Sequence, residues 1–196
     1  MRLFGLFGLA AAATLSAFAG PLTITYTSVG TGSIGTTSFT GASFTITELL
    51  DTANRQSFSG GFFIEDNSAS IAIAGVGTFN FTTATRSFAA NGAEVGGFSR
   101  AGASGSDLLY AADNPAFLTW DMTTSLGPFT GEGTLLQWRS APVGTTGGTL
   151  VFNSANPTVT FEAVAGEGSV PEPASVALIG LGLVGLGVIA RRRRQL

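Results

Sequence analysis

Apolar residues recur with period two between residues 20 and 169. Leu22, Ile24 and Tyr26 alternate with Thr23, Thr25 and Thr27, and Phe44 and Ile46 alternate with Thr45 and Thr47. Val159, Phe161 and Ala163 alternate with Thr158, Thr160 and Glu162, while Ile71, Ile73, Phe79 and Phe81 keep one phase across Gly75 and Gly77. β-Branched and aromatic residues on one face with Thr on the other mark half-buried strands. Shorter runs at 61–65, 117–122, 134–139 and 149–153 predict further strands. Turn residues separate them: Asn91-Gly92, Gly96-Gly97, Asn114-Pro115, Gly127-Pro128, Gly147-Gly148 and Asn156-Pro157. Many short strands at this spacing predict an all-β ectodomain, an antiparallel β-sandwich of jelly-roll-like form. No helical period rises above the background; residues 49–56 are at most one short turn of helix. Residues 89–106, rich in Gly, Ala and Ser, read as a long mobile loop. No repeat of fixed length is present, which argues against a solenoid.

The two ends follow different patterns. Arg2 precedes an uncharged run from Leu3 to Ala13, and Ala17-Phe18-Ala19 has the small-x-small form that signal peptidase cuts. Residues 1–19 therefore read as a secretory signal peptide, with Ala17 and Ala19 at the cleavage site. At the other end, Gly166-Glu167-Gly168-Ser169 forms a linker before Pro171-Glu172-Pro173. Residues 174–190 then hold nothing more polar than Ser175. As a helix this segment would be about 25 Å long, at the short end of what crosses a bilayer. Arg191, Arg192, Arg193 and Arg194 stop its transfer and keep the last residues cytoplasmic, which leaves residues 20–170 outside. Three parts are expected: a signal peptide at 1–19, an ectodomain at 20–169 and a C-terminal transmembrane sorting segment at 170–196.

Composition narrows the chemistry. The 196 residues include no Cys and no His, and all nine basic residues are Arg, so Lys is absent too. Disulfides, thiolate nucleophiles, imidazole bases, Cys/His zinc sites and Lys Schiff bases are thereby excluded. Residues 20–170 carry four Arg against eleven acids, a net charge of −7, which argues against nucleic acid as a partner. Glu65-Asp66-Asn67-Ser68 groups oxygen ligands of the kind Ca²⁺ takes, but without D-x-D-x-D-G spacing. Asp107, Asp113 and Asp121 are scattered. Glu65 and Asp66 are thus weak metal candidates beside the simpler reading of a solvated turn, and no cofactor is expected. Two carboxylates meeting in a cleft would allow glycoside hydrolysis, but linear spacing does not bring any two together. The expectation is a protein that is not an enzyme.

Other features allow a functional and a structural reading. Tyr26, Tyr110, Trp120 and Trp138 would stack on sugar rings if exposed; their places in apolar strand runs favour the core. Thr-x-Thr pairs at Thr23/Thr25/Thr27, Thr45/Thr47, Thr83/Thr85 and Thr158/Thr160 could form an ice-matching array. That array needs register across flat neighbouring strands, and without a repeat they read as ordinary outward residues. Gly30-Thr31-Gly32-Ser33-Ile34-Gly35 and Gly180-Leu181-Gly182-Leu183-Val184-Gly185 both match G-x-G-x-x-G. The first is not followed by a helix and the second lies inside the span, so both read as glycine turns rather than nucleotide sites.

The order of Pro171-Glu172-Pro173, a Gly/Leu-rich span and a terminal Arg cluster resembles the PEP-CTERM sorting signal of Gram-negative bacteria. The same segment has also been catalogued as an ice-binding-protein C-terminal domain. The resemblance covers about the last 27 residues. It implies recognition of Pro171, Glu172 and Pro173 by a membrane-embedded exosortase, with cleavage close by. It also implies an association with extracellular polysaccharide or biofilm in some members. The expected protein is anchored in the inner membrane before processing and reaches the cell surface or matrix afterwards. The alternatives are a lectin-like or ice-binding module and, third, a carboxylate-dependent hydrolase.

Overall fold

The computed structural model describes residues 20–66, 68–102, 107–138, 140 and 142–166. The expected signal peptide, Pro171-Glu172-Pro173, the 174–190 span and the 191–194 Arg cluster lie outside the described residues, as does Asn67. Among the described residues no helix is long and apolar enough to cross a membrane.

The elements are antiparallel strands: β1 (Pro21–Ile34), β2 (Thr37–Asp51), β3 (Gln56–Phe58), β4 (Gly61–Glu65), β5 (Ser68–Ile73), β6 (Gly77–Asn80), β7 (Thr85–Ala90), β8 (Val95–Arg100), β9 (Asp107–Ala112), β10 (Leu126–Leu135), β11 (Val143–Thr145), β12 (Gly148–Ala155) and β13 (Thr158–Ala165). Short 3-10 turns occupy Thr52–Asn54, Asn91–Ala93 and Pro115–Leu118. The all-β antiparallel expectation holds for the described residues. The hydrogen bonding does not divide into two sheets. It follows one path, β3-β4-β7-β8-β9-β10-β13-β1-β2-β5-β6, with β12 added to β1 and β11 to β12.

β1 organises this path. It pairs along its length with β2, its first half pairs with β13, and its second half pairs with β12. Leu22, Ile24 and Tyr26 point inward, as their alternation predicts, and each is fully buried. Tyr26 packs on Phe98 of β8 at 6.5 Å between ring centroids and edge-on against Phe161 of β13 at 5.4 Å. Contact between β1 and β8, well separated along the path, shows that the sheet turns back around one core. Phe161 is central to it, meeting Phe117, Trp120 and Phe129 as well. Each such ring withdrawn from water contributes about 1.5–3 kcal/mol. Near the far end of β1, Phe44 and Trp138 both pack on Phe152. A bridge between Phe81 and Thr145 then laces the end of β6 to β11.

Several expectations fail for identifiable reasons. Gly96-Gly97 is not a turn, and residues 89–106 are not one long loop, because β8 is a strand paired on both sides. The two glycines make room for rings on opposite faces. A Cβ on Gly96 would lie 2.4 Å from Phe117, and one on Gly97 would lie 2.3 Å from Phe88. Gly30 and Gly32 likewise sit within β1 against Phe152 and the Val151 carbonyl, so the first glycine motif is mostly strand and turns only at Gly35. Gly127-Pro128 falls inside β10 at a register shift. The strand expected at 117–122 is replaced by the Pro115–Leu118 turn, where the Asn114 side chain accepts from the Ala116 N–H. The strand expected at 134–139 ends at Leu135.

Candidate functional site

The residues singled out by sequence separate cleanly. Tyr26, Trp120 and Trp138 are core, at 0%, 4% and 1% exposure, so none offers a ring face to a ligand. Tyr110, on β9, is half-buried and lines an outer groove. The threonines come partly into register. Thr130, Thr160, Thr27 and Thr45 stand side by side on β10, β13, β1 and β2. Hydrogen bonds join Thr130 to Thr160 at 2.9 Å and Thr27 to Thr45 at 3.1 Å. The next row reads Glu162, Thr25, Thr47 and Ser70, and the one beyond includes Val164, Thr23 and Leu49, so the array is one row deep. Thr85 is buried and belongs to the opposite face.

Glu65 and Asp66 are adjacent but diverge. Glu65 ends β4 and is exposed, beside Arg86 of β7 in register. Asp66 turns inward to meet Glu48, a residue that sequence reading did not select. The signal for Glu48 was present: Phe44, Ile46, Glu48 and Leu50 share the inward phase of β2, which commits a carboxyl to the core. Glu48 is completely buried. Its Oε2 accepts from the Ser87 hydroxyl, which also contacts the Tyr26 hydroxyl at 3.1 Å. Asp66 Oδ2 accepts from the Thr85 hydroxyl. The two carboxyl groups lie close enough to influence each other's ionisation, and among the described residues no hydrogen-bond partner reaches Glu48 Oε1 or Asp66 Oδ1.

Two neighbouring carboxyls in so dry a place cannot both ionise readily, so the pair retains a proton. Burial first, then the nearby Asp66, holds Glu48 well above the usual carboxylate range. Burial pushes Asp66 up to about 6, against the neighbouring Glu48 and the hydrogen bond from Thr85, which favour its charge. Burial and the nearby Glu48 also raise Tyr26. Asp66 borders a cleft of about 530 Å³ that also holds Arg55, Gln56 and Glu65. Glu48 has no solvent contact, so this pair does not present two carboxyls to a substrate. Among the described residues no group of three or more acids gathers as metal ligands. Asp107, Asp113 and Asp121 do not join it. Asp121 instead pairs with Arg55 at 2.5 Å. That cation and two hydrogen bonds from Thr123 outweigh burial and lower it.

A second site lies on the outer face of β4, β7, β8 and β9. Register places Phe63, Phe88, Gly97 and Tyr110 in one row across the four strands. Glu65, Arg86, Ser99 and Asp107 form the neighbouring row. Phe88 meets Tyr110 edge-on at 5.8 Å, lying over the space that Gly97 leaves. Phe58, on the edge strand β3, is 43% exposed and packs against Phe63 at 6.5 Å. The Arg86 guanidinium sits over the Phe63 ring at 5.0 Å, and its Nε donates to Ser99 at 3.0 Å. Tyr110 donates to Asp107 Oδ2 at 2.7 Å; burial, then that bond and charge, push the phenol up to about 12. The groove encloses about 360 Å³. Its phenylalanines and Arg86 escaped sequence reading because only register unites them.

Comparison with known proteins bears on the C-terminal segment. Residues 169–194 match the family model of the PEP-CTERM protein-sorting motif. That stretch holds the tripeptide, the apolar run and the Arg cluster, and the motif implies export with membrane-associated processing by an exosortase. No curated protein and no solved structure matches the chain.

Proposed function

We propose that this chain is a non-enzymatic, exported protein of the cell surface or extracellular matrix. Its C-terminal span holds it in the inner membrane until an exosortase cuts near Pro171-Glu172-Pro173. The observation that carries the reading is the sorting motif at 169–194. The motif has a physical logic. Two prolines keep the backbone extended and out of helix where a protease must bind it, and Glu172 is the charge between them. Signal peptidase acting after Ala19 is the matching step at the other end.

The ectodomain fits a structural part better than a catalyst. Its strands follow one hydrogen-bonded path around a shared core and rest on burial and backbone pairing, with no Cys to form disulfides. Among the described residues, the pair of acids that share a pocket of low polarity, Glu48 and Asp66, has one member with no access to substrate, which counts against the hydrolase reading. Extracellular polysaccharide is the partner this reading favours. The test is membrane fractionation in a Gram-negative host with and without an exosortase. With the enzyme, the chain is expected to leave the inner membrane; without it, it stays there. Replacing 191–194 with Ser is expected to reduce retention, because a short span then lacks its cationic stop. Equal distribution in both hosts would reject the sorting reading.

A second reading, a carbohydrate-binding module, is favoured by one observation: Tyr110 lies half-exposed in a groove with three phenylalanines, an Arg and an Asp. The ice-binding alternative has weaker support, since the threonine row is one residue deep.

A further inference from the structure

We propose that the outer groove over β4, β7 and β9, bordered by Phe58 of β3, binds one pyranose ring of a neutral saccharide; this rests on the carbohydrate-binding reading. A pyranose has an apolar face of C–H bonds and a rim of hydroxyls, so a site for it needs an aromatic surface beside paired donors and acceptors. The groove has that division in two adjacent rows. The half-buried Phe63 and Tyr110 supply the aromatic row over the buried Phe88, with Phe58 exposed at its end. Arg86 and Asp107 supply the polar row, about 6–7 Å away along the strands, which suits a ring lying on one row with its rim on the other.

The polar groups are held ready. Arg86 is fixed by Ser99 and by the Phe63 ring, and among the described residues no hydrogen bond engages its two terminal amines. A planar fork so held can donate to two neighbouring hydroxyls. Asp107 is oriented by Tyr110 through Oδ2, and among the described residues no hydrogen bond engages its Oδ1, which can accept from a hydroxyl. A volume of about 360 Å³ falls in the range of small-ligand sites. Charge selects a neutral sugar over a uronate. Glu65 and Asp107 flank Arg86 in the same row, and the whole ectodomain is at −7. An anionic polymer would meet repulsion locally and at distance.

The test is calorimetric titration of the full chain, in a detergent without a sugar headgroup, with cellohexaose, maltohexaose and an oligoglucuronate. A neutral hexaose is expected to bind and the oligoglucuronate not to. Arg86→Lys keeps the charge but loses the fork, and Phe58→Ala removes an exposed ring; each is expected to weaken binding about tenfold or more. Urea unfolding of both variants checks that they remain folded. Binding of a neutral hexaose unchanged in two folded variants would overturn the groove and leave a sugar site elsewhere. Preference for the oligoglucuronate would overturn the assigned ligand. No binding by any of the three would overturn the groove together with the carbohydrate reading. None of these results touches the sorting reading, which is measured by fractionation.

Discussion

Glu48→Gln probes the least expected feature of the core. In the parent, Glu48 must stay protonated beside Asp66 because burial penalises its charge. Asp66 rises from 3.8 to about 6 on folding. A carboxyl with a raised folded-state pKa holds its proton longer than it does in the unfolded chain. Its penalty is therefore absent below about pH 3.8, grows as pH rises toward 6, and is complete above that. A shift of about two units costs about 3 kcal/mol, and the shift of Glu48 adds a penalty of the same sign. Against a typical total of about 5–15 kcal/mol, the loss is large. Asp121, lowered by Thr123 and Arg55, acts in the opposite direction and only as pH falls below its ordinary value, outside this window. Glutamine keeps an oxygen for the Ser87 hydroxyl and offers Asp66 a permanent donor, while removing one titrating group. Urea unfolding at pH 5 and pH 8, followed by fluorescence of the buried Trp120 and Trp138, measures both effects. The parent is expected to be less stable at pH 8 by about 1 kcal/mol from Asp66 alone, since part of its penalty is already present at pH 5, with Glu48 adding in the same direction. Glu48→Gln is expected to gain stability at pH 8, with a flatter profile between the two. A parent equally stable at both pH values, or a variant weaker than the parent at pH 8, would refute the retained-proton account.

Two further outcomes test the packing. Phe161→Ala removes a ring that contacts Tyr26, Phe117, Trp120 and Phe129, and is expected to cost about 3–5 kcal/mol in urea unfolding. Gly96→Ala places a Cβ 2.4 Å from Phe117, and is expected to lower stability by about 1–3 kcal/mol through overpacking. Gly92→Ala, where nothing lies within 4 Å, serves as its control and is expected to change little.

What sequence pattern reveals here follows from range. The alternation in Leu22-Thr23-Ile24-Thr25-Tyr26-Thr27 is local, and β1 has the phase that it predicts. Glu48 was legible in principle, because it continues the phase of Phe44 and Ile46, yet a charge there reads as a surface residue until its neighbours are known. Gly96-Gly97 misleads for a tertiary reason: a turn and a strand that clears space for Phe88 and Phe117 look alike along the chain. The run at 117–122 misleads for a local one, since Asn114-Pro115 starts a turn that overrides apolar content. The groove was the least legible part. Phe58, Phe63, Arg86 and Tyr110 come from four strands, and their meeting depends on cross-strand register. The sorting segment lies at the other extreme, as three contiguous blocks whose order alone carries the resemblance.

The central claim is that the C-terminal tripeptide directs processing, and intact mass of the mature protein tests it most directly. In a host with an exosortase, the parent is expected at the surface or in the medium with a mass showing loss of residues 1–19 and of the chain beyond the Pro171-Glu172-Pro173 region. Glu172→Ala is expected to insert normally, because the 174–190 span and the 191–194 cluster remain, and to accumulate uncut in the inner membrane. A Glu172→Ala chain released at the same mass as the parent would contradict the account, and would reduce the segment to an ordinary membrane anchor.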